Sequence, residues 1–106
     1  MSSHYQHRAR LFRVLAHPAR LQILEILAAE PCCVCDITQR MGCRQPYASQ
    51  QLAILREAGL VVAEREGINM RYRLASPEVL RLVQSERDLP LRETPSGRRM
   101  GRRIER

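Results

Sequence analysis

Apolar positions recur at helical spacing through the first half of the chain, and prolines and glycines cut that pattern into segments. Over residues 7–16, Leu11, Phe12, Val14 and Leu15 are set among Arg8, Arg10 and Arg13, which predicts an amphipathic helix with one apolar face. Pro18 cannot continue that helix but suits the first turn of another, which carries Leu21, Ile23, Leu24, Ile26 and Leu27 toward Ala28 or Ala29 and closes at Pro31. A short helix is expected over 36–41, with Ile37 and Met41 four apart and Gly42 suited to a left-handed C-terminal position. A longer helix follows over 45–58. It tolerates Pro46 in its first turn, buries Leu52, Ile54 and Leu55, and stops at Gly59.

Beyond Gly59 the period changes. Residues 60–65 are apolar and partly β-branched, Glu66-Gly67-Ile68-Asn69 has turn chemistry, and over 70–74 Met70, Tyr72 and Leu74 alternate with Arg71 and Arg73, so a hairpin is expected. Ser76-Pro77-Glu78 then supplies an N-cap, a first-turn proline and an early acid for a last helix reaching about Arg87. Two helices around Gly42-Cys43-Arg44 followed by a hairpin predict a mainly α winged helix-turn-helix, whose second helix fits a major groove. Neither the first nor the last helix is needed to complete that motif, so both are expected to dimerise the chain. The domain is assigned to residues 1–87, and the proline-, glycine- and arginine-rich stretch 88–106 to a flexible basic tail.

Charge changes the picture. All eighteen basic residues are Arg, against eleven acids, for a net charge of +7 on 106 residues. A surplus of that size on one small domain implies a polyanionic partner, and double-stranded DNA fits the motif. No apolar run approaches the ~20 residues that span a bilayer, and no signal peptide precedes the first helix, so the expected location is the cytoplasm, with no membrane partner. In that reducing compartment four cysteines are read as thiols for metal or redox chemistry rather than as structural disulfides.

The run from about residue 11 to 83 resembles the ArsR/SmtB family of metal-responsive repressors. Leu15-Ala16-His17-Pro18-Ala19-Arg20-Leu21-Gln22-Ile23-Leu24 is similar to the family's opening pattern, and Cys33-Val34-Cys35-Asp36-Ile37 to its metal box. Ser49-Gln50-Gln51-Leu52, Leu55, Gly59-Leu60-Val61, Arg65 and Gly67 follow at family spacing. The resemblance implies a homodimeric repressor, not an enzyme, that binds an operator and lets go when a metal or metalloid binds.

Residues near the start of a recognition helix reach base edges. By similarity that task falls to Gln45, Tyr47, Ser49 and Gln50, with Arg44 on phosphate and Arg65, Arg71 and Arg73 reaching phosphates from the wing. The family's usual histidine is Gln50 here, which implies a different operator preference. Core packing remains the alternative for Tyr47, and a solvated face for the wing arginines.

Cys32, Cys33 and Cys35 fall at a helix start, where the backbone dipole favours thiolate. Three soft donors suit a soft acceptor: As(III) or Sb(III) by resemblance, with Cd, Pb or Zn needing a fourth ligand. The family's third cysteine is Thr38 here, so Cys32 is assigned as third ligand from proximity alone. Cys43 is expected about 10 Å away, buried and inert. His4 and His7 are candidates for a harder site, while the last helix contains neither the His of a zinc site nor a cysteine. A thiol redox sensor of the same fold stays open, as does a winged domain used only for protein contact. So does a thiol enzyme or metal-transfer protein, although no Cys-x-x-Cys or phosphate loop supports it.

Overall fold

The computed structural model describes residues 2–93. Five helices, α1 (Ser3–Leu15), α2 (Pro18–Ala29), α3 (Val34–Met41), α4 (Gln45–Glu57) and α5 (Pro77–Arg87), surround a small antiparallel sheet of β1 (Cys32–Cys33), β2 (Val61–Glu66) and β3 (Asn69–Leu74). The expected architecture is present; α3 begins at Val34 rather than at 36, the strands take in Glu66 and Asn69 of the expected turn, and two further changes stand out. Helix α1 starts four residues earlier than its apolar pattern suggested, because nothing at residues 3–6 breaks a helix and Arg8 stacks on the Tyr5 ring at 5.6 Å, one turn away. The second change is β1, a two-residue strand too short to leave a periodic signal.

The punctuation works as the residues dictate. Gly42 ends α3 at φ 67°, a left-handed conformation costly for any residue with a Cβ, and its amide donates to the Thr38 carbonyl at 2.8 Å. The Ser76 hydroxyl caps α5 by accepting from the Val79 amide. One core joins the elements. Ile23 and Leu24 of α2, Ile37 of α3, Leu52 and Leu55 of α4 and Val61 of β2 are essentially sealed from solvent, each contributing about 1.5–3 kcal/mol by burial. Val79 and Val83 seat α5 on this core, and Arg87 bonds Glu25 of α2 at 2.9 Å.

The sheet order is β1-β3-β2, so the hairpin's second strand is central. Cys32 faces Tyr72 and Cys33 faces Arg71, while Glu64 also faces Arg71 from the other side. Because side chains alternate along a strand, Cys32, Tyr72 and Ala63 share the core face, and Cys33, Arg71 and Glu64 share the outer face. Residues 88–93 carry no helix or strand, and the remainder of the expected tail lies outside the described residues.

Candidate nucleic-acid interface and thiol pair

Helices α3 and α4 are joined by the turn at 42–44, and the positions assigned to DNA lie on the open side of α4. Arg44 is its N-cap residue; Gln45 and Gln50 are exposed, Ser49 is half-buried and Tyr47 is 40% exposed. Tyr47 is therefore not consumed by the core. Ala48, Leu52 and Leu55 are, and they hold the opposite side of the helix against the protein.

The three wing arginines are not equivalent. On the outer face of the hairpin, Arg71 pairs with Glu66 at 3.4 Å and Arg73 with Glu64 at 3.3 Å. Arg65 sits on the other face beside Met70, beyond the core, and makes no ion pair among the described residues. Exposed pairs of this kind are worth about 0–1 kcal/mol, so a phosphate can compete for Arg71 and Arg73, but only Arg65 offers its charge uncommitted.

The structure brings two of the three assigned thiols together. Cys33 and Cys35 Sγ atoms lie 2.8 Å apart, and with the Asp36 carboxylate they form a group whose ligand atoms all fall within 4.8 Å. Cys33 precedes α3 and Cys35 is in its first turn, so the chain's entry into the helix folds one sulfur over the other. Thr38, at the family's third cysteine position, donates instead to the Cys35 carbonyl at 2.9 Å. Cys32 is not part of this group. As the first residue of β1 it turns to the core, 5% exposed, because adjacent strand residues point to opposite faces. Cys43 is half-buried against the core, and His4 and His7 lie on α1, outside the cluster.

The electrostatics also differ from the expectation of a dipole-stabilised thiolate. The shared hydrogen bond with Cys33 pushes the Cys35 thiol up from its ordinary value, and burial pushes Cys32 up. Cys35 is therefore harder to ionise than an ordinary thiol, and a metal cation must displace its proton.

One polar link was not read from the sequence. Gln51, 5% exposed, is the only buried polar residue among those described, and its Oε1 accepts from Arg20 Nε at 2.9 Å. A buried glutamine beside the exposed Gln50 has no periodic signature, and Arg20 appeared only as one letter of a family pattern.

A helix-turn-helix whose second helix presents polar side chains outward, followed by a hairpin carrying arginines, defines a winged helix-turn-helix DNA-binding domain. Residues 17–62 match the family model described as bacterial regulatory protein, arsR family, and the chain belongs to that family of transcriptional regulators. An uncharacterised helix-turn-helix transcriptional regulator of Mycobacterium tuberculosis is 40% identical over 80 residues, 74% of this chain and 70% of the relative. A biofilm growth-associated repressor of Agrobacterium fabrum is 43% identical over 77 residues, 73% and 66% of the two chains. A probable mercury resistance operon repressor of Streptomyces lividans is 34% identical over 87 residues, 82% and 70%. Among solved structures, the M. tuberculosis regulator superposes with a TM-score of 0.78 at 38% identity, covering 82% of this chain and 88% of that one. The homodimeric winged helix-turn-helix DNA-binding domain of a possible ArsR-family regulator from Mycobacterium bovis gives 0.76 at 36% identity, covering 80% and 79%. No helix among the described residues is long and apolar enough to cross a membrane.

Proposed function

We propose that this chain is a homodimeric repressor that binds operator DNA through α4 and the wing, and releases it when a thiophilic ligand joins the Cys33 and Cys35 sulfurs. Arg44, Gln45, Tyr47, Ser49 and Gln50 read the major groove and its edge, and Arg65, aided by Arg71 and Arg73, holds phosphates. Repressors and a homodimer among the relatives support this reading of assembly and sign.

The observation that carries the sensing step is the 2.8 Å approach of a half-buried and an exposed sulfur at a junction between both DNA-contacting elements. Cys33 lies across β1–β3 from the wing residue Arg71, and Cys35 opens α3, which leads through Gly42 into α4. Two soft sulfurs and one carboxylate suit trivalent arsenic or antimony, with Cd, Pb or Zn as weaker fits because they want further donors. Drawing the sulfurs into a ligand's bond angles shifts β1 against α3, and the dimer's two recognition helices lose their spacing. Titrating the reduced protein with arsenite, followed by sulfur-to-arsenic ultraviolet absorption, is expected to give one arsenic per chain. A Cys33→Ser/Cys35→Ser protein that binds arsenite equally well refutes the site.

The same short separation favours a second reading, oxidation of the pair to a disulfide by a peroxide. Each thiol gives up one electron and one proton, and the peroxide is reduced to water or alcohol. Thiol counting by mass, before and after peroxide, separates the two: loss of two thiols together with loss of DNA binding supports the redox reading, and unchanged DNA binding excludes it.

A further inference from the structure

We infer that Arg20 is a positioning residue for DNA reading, whose guanidinium fixes the rotation of the recognition helix relative to α1. Arg20 belongs to the first turn of α2 and meets α4 at the buried Gln51. Its Nε donates to Gln51 Oε1 of α4 at 2.9 Å, and one terminal nitrogen donates to the Val14 carbonyl of α1 at 3.1 Å. One planar, always-charged group therefore ties three helices together, and both acceptors are neutral.

This is an expensive way to hold a core. Arg20 is half-buried and no carboxylate pairs with it among the described residues, whereas a methionine of similar length would fill the space without desolvating a charge. What the arginine supplies is direction. The remaining contacts of α4 with the protein, through Ala48, Leu52 and Leu55, are apolar and tolerate small rotations, while a hydrogen bond weakens steeply once its angle is lost. Gln51 follows directly on the exposed Gln50, so the tether sits one residue from a position that the proposed function, on which this inference rests, assigns to base reading. With side chains about 5–6 Å from the helix axis, a rotation of about 10° moves their tips by about 1 Å, enough to spoil a bidentate contact with a base edge. Val14 sits near the C-terminus of α1, so α1 and the reading surface are also held to one another.

The test compares the duplex that the wild-type protein enriches from a random library with an unselected duplex of equal length, using fluorescence anisotropy at one salt concentration. Arg20→Met is expected to lower affinity for the enriched duplex about ten- to a hundredfold, the worth of one base contact. Affinity for the unselected duplex is expected to stay within about twofold, because phosphate contacts tolerate a rotated helix. Gln51→Met, which removes only the acceptor, should reproduce the loss, and Gln51→Glu, which keeps one, should retain most of the discrimination. The double Arg20→Met/Gln51→Met protein separates geometry from stability. With both polar partners gone it is expected to melt no lower than either single variant, yet discriminate as poorly. Should Arg20→Met not fold, Gln51→Met and the double variant carry the comparison. A folded variant lacking the bond but keeping the wild-type ratio of affinities overturns the inference, as does an equal loss on both duplexes.

Discussion

Removing Arg65 tests the wing most sharply, because its charge is uncommitted while those of Arg71 and Arg73 are shared with glutamates. Each phosphate neutralised by a protein cation contributes about −0.9 to the slope of log affinity against log salt. A dimer losing Arg65 from both wings is thus expected to flatten that slope by about 1.8, so that the affinity lost on a fourfold rise in salt shrinks by about twelvefold. Arg71→Ala removes the same formal charge but also unmasks Glu66, so the control is Arg71→Ala/Glu66→Ala, which deletes a neutral pair and is expected to flatten the slope less than Arg65→Ala does. The assay is anisotropy of a labelled duplex over a salt series. An Arg65→Ala protein with the wild-type slope, beside a paired deletion that flattens it, would refute the assignment of phosphate contact to the uncommitted arginine.

Cys32→Ser is expected to cost about 1–3 kcal/mol of stability by placing a hydroxyl in the core, seen as a lower melting midpoint, and to leave arsenite stoichiometry intact. Cadmium affinity should rise with pH, because a cation bound by the two sulfurs expels their protons to solvent. The Cys35 thiol is held above its ordinary value by its bond to Cys33, so each step toward alkaline pH lowers the cost of expelling its proton, a trend visible in cadmium titrations across the neutral to mildly alkaline range. A pH-independent cadmium affinity there would contradict the raised Cys35 thiol. Leu55→Ala, at a fully buried position of α4, should destabilise the fold by about 2–5 kcal/mol in denaturant melts.

Much of the fold was legible because its boundaries are chemical. Gly42, Gly59, Pro18 and Ser76 end or start helices for reasons local to a few residues, and the change from helical to alternating spacing after Gly59 marks the hairpin. What was missed depends on pairing at a distance. The strand β1 exists only because β3 lies beside it, and that pairing sends Cys32 inward while Cys33 turns out, so the assignment of three clustered thiols becomes two thiols and a carboxylate. Glu64 and Glu66 alternate in step with Arg73 and Arg71, but their neutralising pairs follow from register, which the turn alone did not fix. The Arg20–Gln51 bond spans 31 positions and uses residue types that ordinarily face solvent.

Coupling between the thiol pair and DNA is the step on which the proposed regulation turns. Anisotropy of a labelled enriched duplex should be read on reduced protein with and without arsenite, for wild type and for Cys33→Ser/Cys35→Ser. The expectation is a weakening of about 5- to 150-fold in wild type, the usual range for such coupling, and none in the variant. Equal affinity with and without bound arsenite in the wild-type protein would contradict it.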